Sequence, residues 1–97
     1  MVVRRHAEFM YSLDERILEY LRGEPWAVPK EIVALPNVKA TKNIVRERFR
    51  WLATIDFVEY PLGEESEIVE ISTDGIMYLE GRVDARLRIP SKRAIRG

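Results

Sequence analysis

The side chains best suited to bind another molecule are concentrated in one basic segment, TKNIVRERFRWL, at residues 41–52. Residues 37–55 contain five bases and one acid, a net charge of +4 in a chain whose net charge is zero. The five bases are Lys39, Lys42, Arg46, Arg48 and Arg50. Such clusters favour polyanions, because they neutralise phosphates. For any one arginine, a place on the solvated face of a helix is the favoured interpretation, so the prediction depends on the cluster.

The apolar spacing of the same segment predicts an amphipathic helix over about residues 41–53. Val45, Phe49 and Leu52 recur at i, i+4 and i+7 and form one buried stripe. Thr41 is a favourable N-cap for this helix. The opposite face then presents Lys42, Asn43, Arg46, Glu47 and Arg50.

If this helix enters a DNA major groove, its side chains divide into base readers and phosphate anchors. Asn43 can form two hydrogen bonds with adenine, and Arg46 can pair with the O6/N7 edge of guanine. The predicted phosphate contacts are Lys39, Thr41, Lys42 and Arg50. Arg48 lies toward the flank and could equally pair with an acid of the same chain.

Two helices are predicted before the basic helix. Residues 12–15, SLDE, form a capping box with Ser12 as N-cap, and a helix over residues 13–22 then ends at Gly23. Pro29 suits the first turn of a short second helix, PKEIVAL, with its apolar side chains facing inward.

After Asp56 the pattern changes to β-type alternation. Residues 57–60 and 67–72 predict two short strands joined by the turn PLGEES. Thr73 and Asp74 then cap a fourth helix that continues to residue 88, with Gly81 interrupting it at some cost.

This order predicts a fold that is mainly α with a small β-hairpin: a winged helix-turn-helix with a three-helix core, a wing and a C-terminal helix. The predicted organisation has three parts. They are a flexible arm at residues 1–11, a winged-helix domain at 12–88 whose helix 73–88 dimerises, and a basic tail at 89–97.

An acidic block follows the basic helix: residues 56–81 contain eight acids and no base. Glu64, Glu65 and Glu67 lie in the wing turn and would be repelled by phosphates. The wing could be an ordinary soluble hairpin tip that does not insert deeply. Alternatively, the block could meet the basic chain end of the same or another protomer, and that end could instead follow the DNA backbone. Its bases are Arg86, Arg88, Lys92, Arg93 and Arg96.

The fourth helix carries more apolar residues than one small domain can cover, which predicts a homodimer. The predicted interface residues are Met77, Tyr78, Val83 and Leu87. Burial of half of them against the first helix is an equal alternative. Trp26, Trp51 and Tyr78 are interpreted as core or interface aromatics rather than as platforms for stacked bases.

The residues that catalysis or metal binding would require are scarce. The chain has no cysteine and one histidine, His6, and it contains no glycine-rich phosphate loop. We therefore expect neither an enzyme nor a cofactor or metal site. No apolar run approaches the ~20 residues that span a bilayer, and no signal peptide is recognisable, which predicts a cytoplasmic protein without a membrane partner.

Five segments together resemble a known family: LDERILEYL, PKEIVAL, TKNIVRERFRWL, DFVEY and ISTDGIMYLEGRVDARL. They are similar to archaeal winged-helix regulators of the type of the halophage phi-H repressor, within the MarR-like group. Relatives read much like "SRNTVxRRLxxL" in the third helix and "ITxxGxxYLxGxLDAxxL" in the last segment. The resemblance implies sequence-specific binding of double-stranded DNA, transcription regulation or repression, and often a homodimer.

Two departures from the family pattern bear on function. The turn before the third helix is PNVKA, without the usual glycine, and the wing turn is acidic where a base would suit a phosphate. The acidic wing keeps a second hypothesis open: a winged-helix module that binds a protein partner and does not contact DNA directly.

Overall fold

The secondary structure follows the predicted order. The computed structural model describes residues 10–83 of the chain. Its elements are the helices α1 (Ser12–Gly23), α2 (Pro29–Val33) and α3 (Lys42–Thr54), the strands β1 (Val58–Glu59) and β2 (Glu70–Ile71), and the helix α4 (Thr73–Leu79). A single 3₁₀ turn, Glu64–Ser66, lies between the strands. The predicted fold class, mainly helical with a small hairpin, is confirmed.

One hydrophobic core joins all of these elements except the 3₁₀ turn. The predicted stripe on α3 is confirmed, because Val45, Phe49 and Leu52 are all buried. The other fully buried apolar side chains with no more than 2% exposure are Ile17, Leu18, Leu21, Ala27, Ile32, Ile55, Phe57, Val58, Val69, Tyr78 and Leu79. α2 packs against α3, and α1 packs against α4. The buried stripe of α3 anchors the basic helix in this core.

The hairpin is antiparallel and shorter than predicted. Val58 pairs with Ile71, and Glu59 pairs with Glu70. The connector between α1 and α2 adds a bridge in which Ala27 and Val69 exchange two backbone hydrogen bonds of 3.0 Å.

The start of α1 differs from the prediction by one residue. Tyr11, not Ser12, is the N-cap, and its backbone N–H donates to the carboxylate of Asp14 at 2.9 Å. Met10 is buried and Tyr11 caps α1, so these two residues of the predicted arm pack with the domain. Gly23 is the last helical residue, and the chain leaves α1 through an extended Glu24.

The two ends of α4 also differ from the prediction. Ser72 is the N-cap, since its hydroxyl accepts from the N–H of Gly75 at 3.0 Å, whereas Thr73 is already helical. The predicted helix 73–88 ends at Leu79 and does not continue through residues 80–83, and its predicted part at 84–88 lies outside the described residues. Gly81 adopts φ +75°, its N–H donates to Tyr78 O at 3.0 Å, and Arg82 N–H donates to Met77 O at 2.8 Å. These two bonds form a Schellman motif, so Gly81 ends the helix.

Candidate nucleic-acid interface

The outer face of α3 carries the predicted polar side chains. Thr41 caps the helix as predicted, because its hydroxyl accepts from the N–H of Ile44 at 3.2 Å. Lys42, Asn43 and Arg50 are exposed, opposite the buried stripe. α3 therefore presents a polar ridge to solvent while its apolar side is fixed in the core.

The turn before α3 and the first residue of the helix also carry the expected basic side chains. Lys39 and Lys42 are both exposed, and neither forms an ion pair within residues 10–83. The turn before α3 lacks glycine, but Asn37 supplies its left-handed residue with φ +66°. Asparagine tolerates this conformation better than most residues do. The missing glycine therefore does not prevent a tight turn between α2 and α3.

The two predicted base readers are joined to each other and to the wing. Arg46 Nη1 donates to Asn43 Oδ1 at 2.7 Å, and Arg46 Nε donates to Glu67 Oε2 at 2.6 Å. Both partners of the ion pair remain partly exposed, with side-chain exposures of 33% and 41%. Asn43 and Arg46 are thus one connected unit, and a wing carboxylate belongs to it.

A cleft of about 420 Å³ separates α3 from the wing. Its lining residues are Arg46, Phe49, Arg50, Tyr60, Glu64, Glu65 and Glu67. Arg50 Nε lies 3.9 Å from Glu64 Oε2, a longer and more exposed pair than that of Arg46. Burial, together with the charges of Glu64 and Glu67, raises the pKa of Tyr60 to about 12, and Arg50 opposes this shift.

The partner of the wing carboxylates was not predicted from the sequence. One alternative was that they meet the basic chain end, whose five bases, like all of residues 1–9 and 84–97, lie outside the described part of the chain. Within residues 10–83, Glu64 and Glu67 instead face the arginines of α3. The sequence offered one signal for this pairing: the acidic block at residues 56–81 directly follows the basic block at residues 37–55.

Arg48, whose role was left open, pairs inside the protein. Its Nε and Nη2 each donate to one carboxylate oxygen of Asp14 at 2.8 Å. Arg48 keeps 14% side-chain exposure and Asp14 has none. Its guanidinium also lies 4.4 Å from the ring centroid of Tyr11 and 5.8 Å from that of Trp51. The hydrogen bonds to Asp14 raise the Arg48 pKa above its ordinary value. Arg48 therefore stabilises the fold and is not part of the polar ridge on α3.

The predicted dimer residues occupy different environments. Tyr78 is fully buried, its ring stacks on Phe57 with centroids 5.0 Å apart, and its hydroxyl donates to Glu15. It has no exposed surface to offer a second subunit. Met77 and Val83 are half-buried, and Leu87 lies outside the described residues. Trp26, interpreted as a core or interface aromatic, is 56% exposed in this chain.

Residues 10–83 contain no group of three or more His, Cys, Asp or Glu side chains that could hold a metal ion. None of the helices in this range has the length and apolar character needed to cross a membrane.

Three helices followed by a β-hairpin and a further helix define a winged helix. The chain is similar to the crystal structure of the PhiH1 repressor-like protein from Haloarcula marismortui, with a TM-score of 0.79 and 28% sequence identity over 88% of this chain and 93% of that chain. No family model and no curated protein matches the sequence. The similarity supports the predicted resemblance to phi-H-type repressors, whereas the MarR-like grouping stays a prediction.

Proposed function

We propose that this chain is a sequence-specific, double-stranded DNA-binding transcription regulator that acts as a repressor. α3, over about residues 41–53, would read the major groove. The observation that carries the proposal is the ridge of exposed polar side chains on α3, opposite a stripe anchored in the core. The similarity to a repressor-like protein supports it.

The proposed contacts with DNA bases and phosphates follow from the geometry of α3. Asn43 and Arg46 read bases as a pair, and Asn43 retains its two amide N–H donors and a second carbonyl lone pair. The phosphate anchors are Lys39, Thr41, Lys42 and Arg50. Three of them lie at or just before the start of α3, and Arg50 lies farther along its ridge. In these positions they set the register of the protein on DNA without reading sequence.

The proposed assembly is a homodimer in which two copies of α3 meet successive major grooves. Met77, Val83 and Leu87 remain the candidate contact residues, and Tyr78 supports this face from the core. A two-fold dimer requires a pseudo-palindromic site with half-sites about one helical turn apart.

Selection of bound sequences from random duplex DNA, followed by titration at several salt concentrations, tests this function. Arg46→Ala should relax specificity at one base pair of each half-site by ~5- to 150-fold. Lys42→Ala should weaken all sequences alike and reduce the salt slope by about one. Arg22→Ala is the matched control, because it removes one positive charge from a pair with Glu80 on the turn after α4. Failure to enrich any sequence at ~50 mM salt would contradict the proposal.

A second candidate function is a winged-helix module for a protein partner. The observation that favours it is the neutralisation of the basic helix by the wing, through the pairs Arg46–Glu67 and Arg50–Glu64. It predicts a specific partner in pull-downs and full activity after Lys42, Arg46 and Arg50 are neutralised together. The same triple variant should abolish DNA binding if the first function is correct.

A further inference from the structure

We infer that Glu67 of the wing is a positioning residue for Arg46: it orients the guanidinium to read a guanine and prevents its use as a general phosphate anchor. The inference rests on the proposed DNA binding. It assigns the acidic wing, which is unfavourable for phosphate contact, a role in selectivity.

The geometry of Arg46 is set from two sides. Glu67 accepts from Nε at 2.6 Å, and Asn43 accepts from Nη1 at 2.7 Å. Bonds at two different nitrogens define both the position and the plane of a guanidinium. Five N–H donors are available to an arginine, so three remain for another acceptor. Two of these suffice for the O6 and N7 atoms of guanine.

The backbone holds Glu67 where this contact requires it. Glu67 adopts φ +63°, in the left-handed region that non-glycine residues rarely occupy. It directly follows the turn Glu64–Ser66, and the Ser66 hydroxyl donates to Gly63 O at 2.8 Å and accepts from Ile68 N–H at 3.1 Å. Glycine would adopt this conformation more easily, but it could not supply the carboxylate.

The charge of Glu67 separates the two possible ligands of Arg46. A guanine edge is uncharged, so it can accept from the remaining donors while Glu67 stays bound. A phosphate is an anion, so it must approach against Glu67 and the neighbouring Glu64 and Glu65. The wing therefore penalises non-specific contacts more than specific ones, which is how selectivity against wrong partners arises.

The test compares Glu67→Gln with Glu65→Gln, which removes the same charge from the same cleft at a residue without an ion pair among residues 10–83. Three duplexes are used: the selected site, that site with 7-deazaguanine at the position sensitive to Arg46→Ala, and a scrambled sequence. For the wild type, loss of N7 should weaken binding by ~5-fold or more.

In Glu67→Gln, the ratio of the affinities for the duplexes with and without guanine N7 should fall toward one. Binding of this variant to the scrambled duplex should tighten by about two- to fivefold. Glu65→Gln should keep the full penalty. In the free protein, the NMR signal of the Arg46 Nε–H group should shift and exchange faster in Glu67→Gln but not in Glu65→Gln. Unchanged thermal unfolding of both variants would show that the wing is intact.

The outcomes distinguish this inference from the function on which it rests. If the wild type binds no duplex selectively, the proposed function fails and the role of Glu67 fails with it. If the wild type is selective but Glu67→Gln retains the N7 penalty, or Glu65→Gln loses it equally, the inference alone is wrong. Equal tightening on all three duplexes by Glu67→Gln would show that Glu67 is merely a competing charge.

Discussion

Asp14 and Arg48, on two different helices, form a two-point ion pair inside the protein. Both nitrogen–oxygen distances are 2.8 Å, and the Asp14 side chain is completely buried. Asp14 also accepts from the N-cap N–H of Tyr11, so one carboxylate caps α1 and anchors α3. The orientation of the candidate DNA-binding helix is therefore coupled to the start of the first helix.

Arg48→Met should lower the free energy of unfolding by about 3–5 kcal/mol, because it leaves the buried Asp14 carboxylate unpaired. Adding Asp14→Asn to this variant should recover part of the loss, since the uncompensated charge disappears. Chemical denaturation measures both effects. Arg50→Ala, which breaks an exposed pair, is the control and should cost less than about 1 kcal/mol. Equal losses at the two arginines would refute the assignment of Arg48 to the core.

Gly75→Ala should destabilise the protein by about 1–3 kcal/mol or more, because the added methyl group overpacks a tight site. A Cβ atom at this position would clash with the carbonyl oxygen of Phe57 and lie 2.8 Å from Ile71 Cγ1. The contrasting variant is Gly23→Ala, where no atom beyond the chain neighbours and the backbone of α1 itself lies within 4 Å of the new Cβ. Alanine there should stabilise the end of α1 by up to about 1 kcal/mol. Thermal unfolding of the two variants should therefore shift in opposite directions.

Tyr60 should titrate near pH 12, above the ordinary tyrosine pKa of 10.0, as read from phenolate absorbance after subtraction of Tyr60→Phe. Because the folded protein holds this proton more tightly than the unfolded chain, the associated stabilisation is complete below pH 10 and is lost as the pH rises toward 12. Glu64→Gln should lower the Tyr60 pKa, and Arg50→Ala should raise it further, because their charges act in opposite directions. A Tyr60 titration at the ordinary value would show that the cleft does not bury the ring.

Met77→Glu should weaken the proposed homodimer without unfolding the subunit, because Met77 is half-buried and adjoins the end of α4. Sedimentation velocity would show the shift to monomer. Ala34→Glu, which adds the same charge at an exposed position after α2, should leave the dimer intact. Tyr78→Ala should instead cost about 3–5 kcal/mol of folding free energy, since the lost ring lies in the core. A Met77→Glu protein that remains dimeric would exclude this face.

The parts of the fold that were predicted correctly depend on local patterns. The stripe Val45, Phe49 and Leu52 follows from helical spacing alone, and the cap at Thr41 follows from the chemistry of one side chain. Pro29 at the start of α2 is confirmed for the same reason, since its fixed backbone angle suits a first helical turn.

The errors arose where tertiary contacts compete with local patterns. Ser12 and Glu15 formed a plausible capping box, but burial of Asp14 beside Arg48 selected Tyr11 as the N-cap. In α4 the apolar pattern continued past Gly81, yet a left-handed glycine with two backbone hydrogen bonds ended the helix. The apolar pattern alone does not show whether α4 ends before Gly81 or continues past it.

Local sequence patterns are enough to predict the fold class, the position of the basic helix and the separation of its polar ridge from its apolar stripe, because these features depend on spacing within single segments. The pairing of the charged side chains, in contrast, depends on how the elements pack. Arg46 and Glu67 are 21 positions apart, and Arg48 and Asp14 are 34 positions apart. Such pairs form when several elements pack around one core, so their geometry depends on the whole fold and on no local pattern.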